Sequence, residues 1–276
     1  MSNIRQQSPG PPVPRTLARP LEGLAAEYEP GAVIPLHHHP FAQLLYASSG
    51  VMTVTTEHGT WVVPPDRAVW VPARVDHTIR MTGRVSMRTL YLSDALGPLA
   101  GGACCVVQVS ALLRESILRA MAFAKPYAAQ GAEARLVAVI ADEIRAAPTA
   151  PLHLPLPRDP RARRVADALR TNPGDPRTLV DWARAAGASV RTLERVFERE
   201  TKLPFGAWRQ QARLLRALEQ LASGESVTTV ALELGYETPS AFIAMFRRSL
   251  GTSPGRYFQQ ADRRSARSEP QASGDR

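Results

Sequence analysis

Three consecutive histidines, His37, His38 and His39, are the first group in this 276-residue sequence whose types and spacing could do chemistry. On an extended strand, side chains two positions apart point to the same side and the one between them points away. His37 and His39 therefore share one side. A neutral imidazole is a common ligand of divalent transition metals. The triplet therefore indicates metal binding, provided that the surrounding elements bring the imidazoles together.

A second chemistry is concentrated in the C-terminal third, where basic side chains accumulate. Residues 158–258 carry 17 Lys and Arg against 11 Asp and Glu, a net charge of +6, whereas residues 1–157 carry 13 against 11, a net +2. Nearly all of the excess is arginine, whose planar guanidinium pairs with phosphates and with guanine edges. This excess of positive charge predicts an anionic partner for the C-terminal region. A GC-rich genome would also enrich arginine, so residue choice alone does not identify that partner.

Composition argues against two classes of protein. No stretch approaches the roughly 20 uninterrupted apolar residues of a membrane helix, so no membrane association is expected. Residues 1–20 contain five prolines and no apolar run, which predicts a disordered leader rather than a signal peptide. With only two cysteines a disulfide-stapled secreted protein is not expected, and we predict a reducing cytoplasm. Those two, Cys104 and Cys105, are adjacent, and we expect buried strand residues rather than a redox switch.

Two kinds of pattern must position the histidines. From Leu21 to about Val109, short apolar runs alternate with polar residues and are broken by Gly and Pro, which predicts a β-sandwich or small barrel. From Ser110 to Ala147 the apolar residues recur at helical spacing around a break near residues 126–131, which predicts a helical hairpin. This hairpin either packs on the barrel or forms a dimer seam. The proline-rich segment 148–158 predicts a stiff linker.

The arginines lie in a region that is helical throughout. A short helix, a tight turn at Gly187 and a second helix capped by Ser189 form the helix-turn-helix pattern. A long helix over 205–222, with three arginines expected on its outer side, separates this unit from a second one that turns at Gly235 and restarts at Thr238. The alternative is a packed helical bundle with a solvated basic face. A turn pattern repeated after 48 positions, together with the local net charge, favours the two helix-turn-helix units.

These helices resemble the DNA-binding domain of AraC/XylS-type bacterial transcription regulators over about 162–258. The motifs that carry the resemblance are Ser189-x-x-x-Leu193-x-Arg195-x-Phe197, Ala231-x-x-x-Gly235-Tyr236, Ser240-x-Phe242-x-x-x-Phe246-Arg247 and Gly251-x-Ser253-Pro254. Lys202 replaces a usual glycine, and Ala244 replaces a usual base-reading arginine. The resemblance implies promoter DNA as partner, and RNA polymerase if the protein is an activator. The residues expected at DNA are Ser189, Arg191, Thr192, Glu194, Arg195, Thr238, Ser240, Ala241, Ala244 and Arg247.

The histidine segment resembles the first cupin motif, with Gln43 where glutamate is usual, and Pro72-x-x-x-x-His77 resembles the second. This resemblance implies a small cupin barrel, the usual sensory domain of one branch of these regulators. It also implies a site for one divalent transition metal (Zn, Ni, Fe or Mn) formed by His37, His39 and His77, with Gln43 as a weak neutral fourth ligand. The alternative is a metal-free relic whose polar groups bond one another or an effector.

The sequence therefore predicts an α+β multidomain protein that senses and binds DNA. A small effector is expected in the barrel, lined by Tyr46, Trp61 and Trp70, and a homodimer is expected through the hairpin. The competing function is a metal-dependent cupin enzyme tethered to DNA, against which the glutamine at position 43 counts because it removes the nearest general base. The predicted divisions are leader 1–20, cupin-like sensor and dimerisation domain 21–147, linker 148–158, DNA-binding domain 159–258 and disordered tail 259–276.

Overall fold

The computed structural model describes residues 16–259. Its strands are β1 (Leu21–Tyr28), β2 (Val33–His37), β3 (Ala42–Thr56), β4 (Gly59–Val63), β5 (Arg67–Val71), β6 (His77–Leu92), β7 (Cys105–Gln108), β8 (Thr149–Ala150) and β9 (His153–Pro155). Its α-helices are α1 (Ala111–Ala120), α2 (Ala132–Ala146), α3 (Pro160–Thr171), α4 (Leu179–Ala186), α5 (Val190–Thr201), α6 (Phe205–Ala222), α7 (Val227–Glu233) and α8 (Pro239–Leu250).

The nine strands form one antiparallel sheet built around the long strands β3 and β6. These two pair along their whole length, while the first half of β3 also pairs with β5 and its second half with β4. The change of partner coincides with register shifts between Ala47 and Val51. Gly50 permits the bend there, because its φ is +75° and a Cβ at this position would lie 2.4 Å from the carbonyl oxygen of Arg84. The predicted barrel-like β region is confirmed.

The helical hairpin packs on the outer side of this sheet. Leu113 and Ile117 of α1 and Ile140 and Ile144 of α2 are fully buried in one cluster with outward-facing residues of β3, β5 and β6. Of the two alternatives for the hairpin, packing on the barrel is therefore observed. A dimer seam would have to use the opposite face of the hairpin, where Leu112 is 54% exposed.

The segment 148–158, predicted as a linker, is instead part of the sheet. β8 pairs with β7 and β9 pairs with β4, and Leu152, Leu154 and Leu156 are buried. This segment also joins the barrel to the helices, because the indole Nε1 of Trp208 donates a 2.7 Å hydrogen bond to the carbonyl of Pro155. The alternation of leucines with other residues is the two-residue period of a strand.

The C-terminal helices begin and end where local chemistry dictates. Asp159 caps α3, whose first residue is Pro160, and Thr178 and Asp181 form a reciprocal capping box at α4. α6 runs between the two helix-turn-helix units and buries Trp208 and Leu218. Together with the sheet-rich N-terminal half, these helices confirm the predicted fold class.

The predicted leader and tail fall mostly outside the described residues. Where the leader is described it contacts the hairpin loop and the end of β6: Arg19 Nε donates to the carbonyl of Tyr127 at 2.7 Å, and the Ser93 amide donates to the carbonyl of Pro20 at 2.9 Å. The residues from 260 onward lie outside the described part. Among residues 16–259, none of the helices has the length and apolar content needed to cross a bilayer.

Candidate DNA-reading helices and metal centre

The first helix-turn-helix unit consists of α4, a turn at Gly187 and α5. Gly187 adopts the left-handed conformation, with φ of 66°, and ends α4. Ser189 then caps α5 by accepting a hydrogen bond from the Thr192 amide. The hydroxyls of Ser189 and Thr192 also lie 2.9 Å apart. Both side chains predicted to face DNA are thus engaged in the cap.

The outer face of α5 carries charge, and its inner face is apolar. Arg191, Glu194 and Arg195 are exposed, whereas Val196 and Phe197 are buried. Among the described residues Arg191 and Arg195 make no ion pair, so their guanidinium forks are available to base edges. This is the arrangement that the sequence predicts for a recognition helix.

The second helix-turn-helix unit, α7 and α8, is capped by a hydroxyl and buries aromatic rings as the first unit does, but its exposed residues differ. Thr238 caps α8 by accepting from the Ala241 amide, and Phe242 and Phe246 are fully buried. The exposed residues that follow the cap are small: Ser240, Ala241 and Ala244. Arg247 is exposed in the last turn, where a phosphate contact suits it better than a base contact.

Arg216 of α6 is exposed as predicted, whereas Arg209 and Arg213 turn back and fasten the loop after α3 to α6. Arg209 donates to the carbonyls of Asp175 and Arg177, and Arg213 donates to the carbonyl of Pro173 at 3.1 Å. Burial lowers the pKa of Arg209. These interactions fasten the loop that follows α3 to α6, so part of the positive charge counted in the sequence is structural.

The same loop packs directly against the second unit. A Cβ at Gly174 would lie 2.0 Å from the carbonyl oxygen of Glu233 in α7, so only glycine permits this approach. Arg213 also lies over the ring of Tyr236, 5.3 Å from its centroid. The relative orientation of α5 and α8 therefore depends on close packing through this loop and α6, which helix periodicity alone does not indicate.

The structure brings the three predicted metal-ligating histidines together. His37 lies opposite His77 in the register of β2 and β6, and their ring centroids are 4.2 Å apart. The ring of His39, in the loop before β3, lies 4.8 Å from His37 and 5.5 Å from His77. One nitrogen from each ring lies within 4.8 Å of the other two. His38 points away and contacts Asp76 at 2.8 Å.

Hydrogen bonds orient two of the rings for metal binding. The Nδ1 atoms of His37 and His77 lie 2.7 Å and 2.8 Å from backbone carbonyls, which can only accept, so each Nδ1 carries a proton and each Nε2 keeps its lone pair. The Nε2 atoms of His39 and His77 are buried and have no hydrogen-bond partner among the described residues. Buried polar atoms are normally satisfied, so these two nitrogens are suited to bind a metal ion.

Burial favours neutral imidazoles at two of the three histidines. Burial, followed by the positive charges that neighbouring histidines would carry, lowers the pKa of His39 to about 3. Burial likewise lowers the pKa of His77 to about 4. Unprotonated rings are the form that ligates a metal, and the residues present therefore fit one divalent transition metal.

Gln43 lies in the barrel close to this cluster. Its Nε2 donates to Thr89 Oγ1 at 3.1 Å, and its Oε1 is buried without a partner among the described residues. Tyr91 connects it to the histidines, since Gln43 lies opposite Tyr91 in the register of β3 and β6 and the Tyr91 ring packs edge-on against His39 at 5.1 Å. No distance places Gln43 among the ligands, and its role as a fourth ligand stays a prediction.

The three aromatic residues predicted to line one effector pocket are not brought together. Tyr46 and Trp70 face outward and are buried beneath the helical hairpin. Trp61 belongs to the other apolar cluster and stacks on His153 of β9, with ring centroids 4.4 Å apart. Alternation along β3 and β5, and the bulge near Gly50, put these rings on different faces of the sheet. All three are core residues here.

Comparison with known proteins supports both halves of this description. A helix-turn-helix domain family matches residues 182–260, and a cupin domain family matches residues 25–93. The chain is 36% identical over 223 residues to the HTH-type transcriptional regulator NimR of Escherichia coli K12, covering 81% of each chain. It is 38% identical over 103 residues to the HTH-type transcriptional regulator RipA of Corynebacterium glutamicum, covering 37% of this chain and 31% of that one.

Among solved structures, a transcriptional regulator with an AraC-type DNA-binding domain from Chromobacterium violaceum has 23% identity and a TM-score of 0.35, covering 37% of this chain and 92% of that chain. A cupin barrel followed by two helix-turn-helix units defines a two-domain, DNA-binding transcription regulator. The chain belongs to the AraC/XylS family of these regulators.

Proposed function

We propose that this regulator contains one divalent transition metal in its barrel and that the state of the barrel controls its binding to promoter DNA. The observation that carries the metal proposal is the cluster of His37, His39 and His77, with two buried Nε2 atoms that lack partners. The candidate metals are Zn, Ni, Fe and Mn, and imidazole nitrogen suits Zn, Ni and Fe better than Mn. Bound there, it would supply a fixed positive charge and tie β2, the following loop and β6 together.

The role proposed for the barrel is regulatory rather than enzymatic. The described cluster contains histidines only, and Gln43 offers no carboxylate to act as a general base. NimR and RipA, two of the relatives that the chain matches, are named transcription regulators. The site thus offers no carboxylate base, and this counts against the metal-dependent enzyme.

Metal analysis of the purified chain tests the proposal. We expect near-stoichiometric metal in the wild type and its loss in His39→Ala. His38→Ala is the matched control, because His38 is exposed and bonds Asp76 outside the cluster, and it should retain the metal. Metal-free wild-type protein whose DNA binding is unchanged by His39→Ala would support the relic alternative instead.

DNA is proposed to contact the exposed faces of α5 and α8 through the residues that the family resemblance indicates. A homodimer is proposed through the outer face of the hairpin, around Leu112 and Val139, and the bacterial cytoplasm is the proposed compartment.

The helical domain with its local charge of +6 should bind duplex DNA with an affinity that falls steeply as salt rises, because counterions are released from phosphates. Binding titrations at several salt concentrations test this, and salt-independent binding would contradict it.

A further inference from the structure

A cleft between the barrel and the DNA-binding helices is the feature that the metal site and the recognition helices leave unexplained. It has a volume of about 590 Å³, within the range typical of small-molecule sites. One wall is the outer face of β3, β4 and β6, and the other is formed by α3 and α6. None of the metal-site histidines lines it.

Threonine hydroxyls cover the barrel wall. Thr55 lies opposite both Thr60 and Thr78 in the register of the sheet, so the three form a row across three strands, and Thr53 lies one row further along. Thr60 is 7% exposed, and its Oγ1 has no hydrogen-bond partner among the described residues. A row of hydroxyls with an unsatisfied buried member is suited to a polar ligand rather than to an apolar one.

Arginines give the cleft a positive charge. Arg80 comes from the barrel, Arg170 from α3 and Arg216 from α6, and their side chains are 45%, 38% and 43% exposed. The acidic residue among the lining groups is Glu219 of α6, so the lining residues carry a net charge of +2, and Arg170 also pairs with Asp167 at 3.5 Å. A guanidinium has five donors, which suits carboxylate and phosphate groups.

The carboxylate of Glu219 already accepts hydrogen bonds from two of these arginines. Its Oε1 accepts from Thr53 Oγ1 at 2.5 Å and from Arg80 at 3.2 Å, and its Oε2 accepts from Arg216 at 3.1 Å. Glu219 is 7% exposed, so this carboxylate bridges the barrel and the helix that joins the two DNA-binding units. A second anion in the cleft would share the same arginines and would compete with that bridge.

We propose that this cleft binds a small organic anion, a carboxylate or a phosphate ester that also carries hydroxyl groups, through Arg80, Arg170 and Arg216. The anion contacts both the barrel and α6, so its binding is coupled to the way the barrel holds the DNA-binding domain. It is a site separate from the metal centre, and it places the control of the regulator at the junction of its two domains.

Calorimetric titration of the full-length protein with three probes tests the proposal: D-gluconate, D-glucose 6-phosphate and D-glucose. The first two share much of the polyol skeleton of glucose but carry a carboxylate or a phosphate. We expect saturable binding of at least one anion and none of glucose under the same conditions. Binding of gluconate alone would identify a carboxylate site, and binding of the sugar phosphate alone would identify a phosphate site.

Charge variants separate a built site from general attraction. Arg80→Gln should weaken binding by about tenfold or more, since it removes a charge-assisted contact. Glu219→Gln should strengthen binding, because it removes the competing carboxylate and raises the local charge to +3. Arg84→Gln is the matched control on the same strand, since Arg84 is exposed and pairs with Glu29 away from the cleft. These opposite signs cannot arise from a general loss of folding.

The proposal is wrong if neither anion binds more tightly than glucose, or if Arg80→Gln and Arg84→Gln weaken binding equally. Repeating the titration with His39→Ala distinguishes this proposal from that of the metal centre. The anion affinity should not change when the metal is lost, because the cleft contains none of the metal-site histidines.

Discussion

The two recognition helices share a frame and differ in what they present to DNA. Aligned on their caps, Ser189 and Thr238, both helices have 12 residues, and both bury an aromatic ring at the same position, Phe197 in α5 and Phe246 in α8. At the position where α5 exposes Arg195, α8 exposes Ala244. The packing needed to place a helix in a groove is thus duplicated, whereas the side chains able to read bases are not.

The largest effect should come from the shared frame. Phe197→Ala and Phe246→Ala should each lower the free energy of unfolding of the helical domain by about 3–5 kcal/mol, because both rings are fully buried. Urea denaturation followed by far-UV circular dichroism measures both. A much smaller cost at Phe246 would show that the second unit is not a structural equal of the first.

The next effect should come from the difference between the outer faces. Arg195→Ala should remove about 1–3 kcal/mol of discrimination at one or two base pairs, the value of one bidentate contact. Ala244→Arg places a guanidinium group on the outer face of α8, where the wild type has a methyl group. This substitution should create a new base preference in the DNA under the second helix. Fluorescence anisotropy with operators altered at single positions measures both changes. If Arg195→Ala discriminates between base pairs as well as the wild type does, Arg195 does not contact bases.

A smaller effect should separate the C-terminal ends of the helices. Lys202 ends α5 in the left-handed conformation, with φ of 61°, where α8 has Gly251 with φ of 77°. Lys202→Gly should stabilise the domain by about 1 kcal/mol because a side chain is strained there, and Gly251→Ala should destabilise it by a similar amount. Thermal unfolding of both variants provides the comparison. Stabilisation by both substitutions, or by neither, would show that the two ends are not strained as their φ angles indicate.

The smallest effect should come from the phosphate contact proposed for α8. Arg247→Ala should weaken binding to all sequences alike and reduce the slope of log K against log salt by about one unit. Salt titrations with the specific operator and with unrelated DNA measure the slope. A loss confined to the specific operator would instead assign Arg247 to base reading.

The parts of this fold that sequence predicts well are those set by local chemistry. The helix caps at Asp159, Ser189 and Thr238 lie where the sequence predicts them. A short polar side chain directly before a run of apolar residues at helical spacing is the usual signal for the start of a helix. The same holds for the two glycine turns. The hairpin is also predicted by its period, although which of its faces is covered depends on the barrel.

The errors arise where long-range packing decides. Prolines favoured a linker at 148–158, yet alternating leucines such as Leu152 and Leu154 pair this segment with the barrel. The sequence predicts one pocket for Tyr46 and Trp61, but a bulge and strand alternation put the two rings on different faces of the sheet. The resemblance points to three histidines that the structure brings together, and their convergence depends on pairing between β2 and β6.

Selection of binding sites from a randomised operator library tests the central claim about the two helices most directly. With wild-type protein, we predict high information content under α5, dominated by positions that Arg191, Glu194 and Arg195 reach, and low information content under α8. In Arg195→Ala, part of the first half-site should lose its preference while the second stays as it was. Equal information content under both helices, or selected sites that Arg195→Ala leaves unchanged, would contradict the claim.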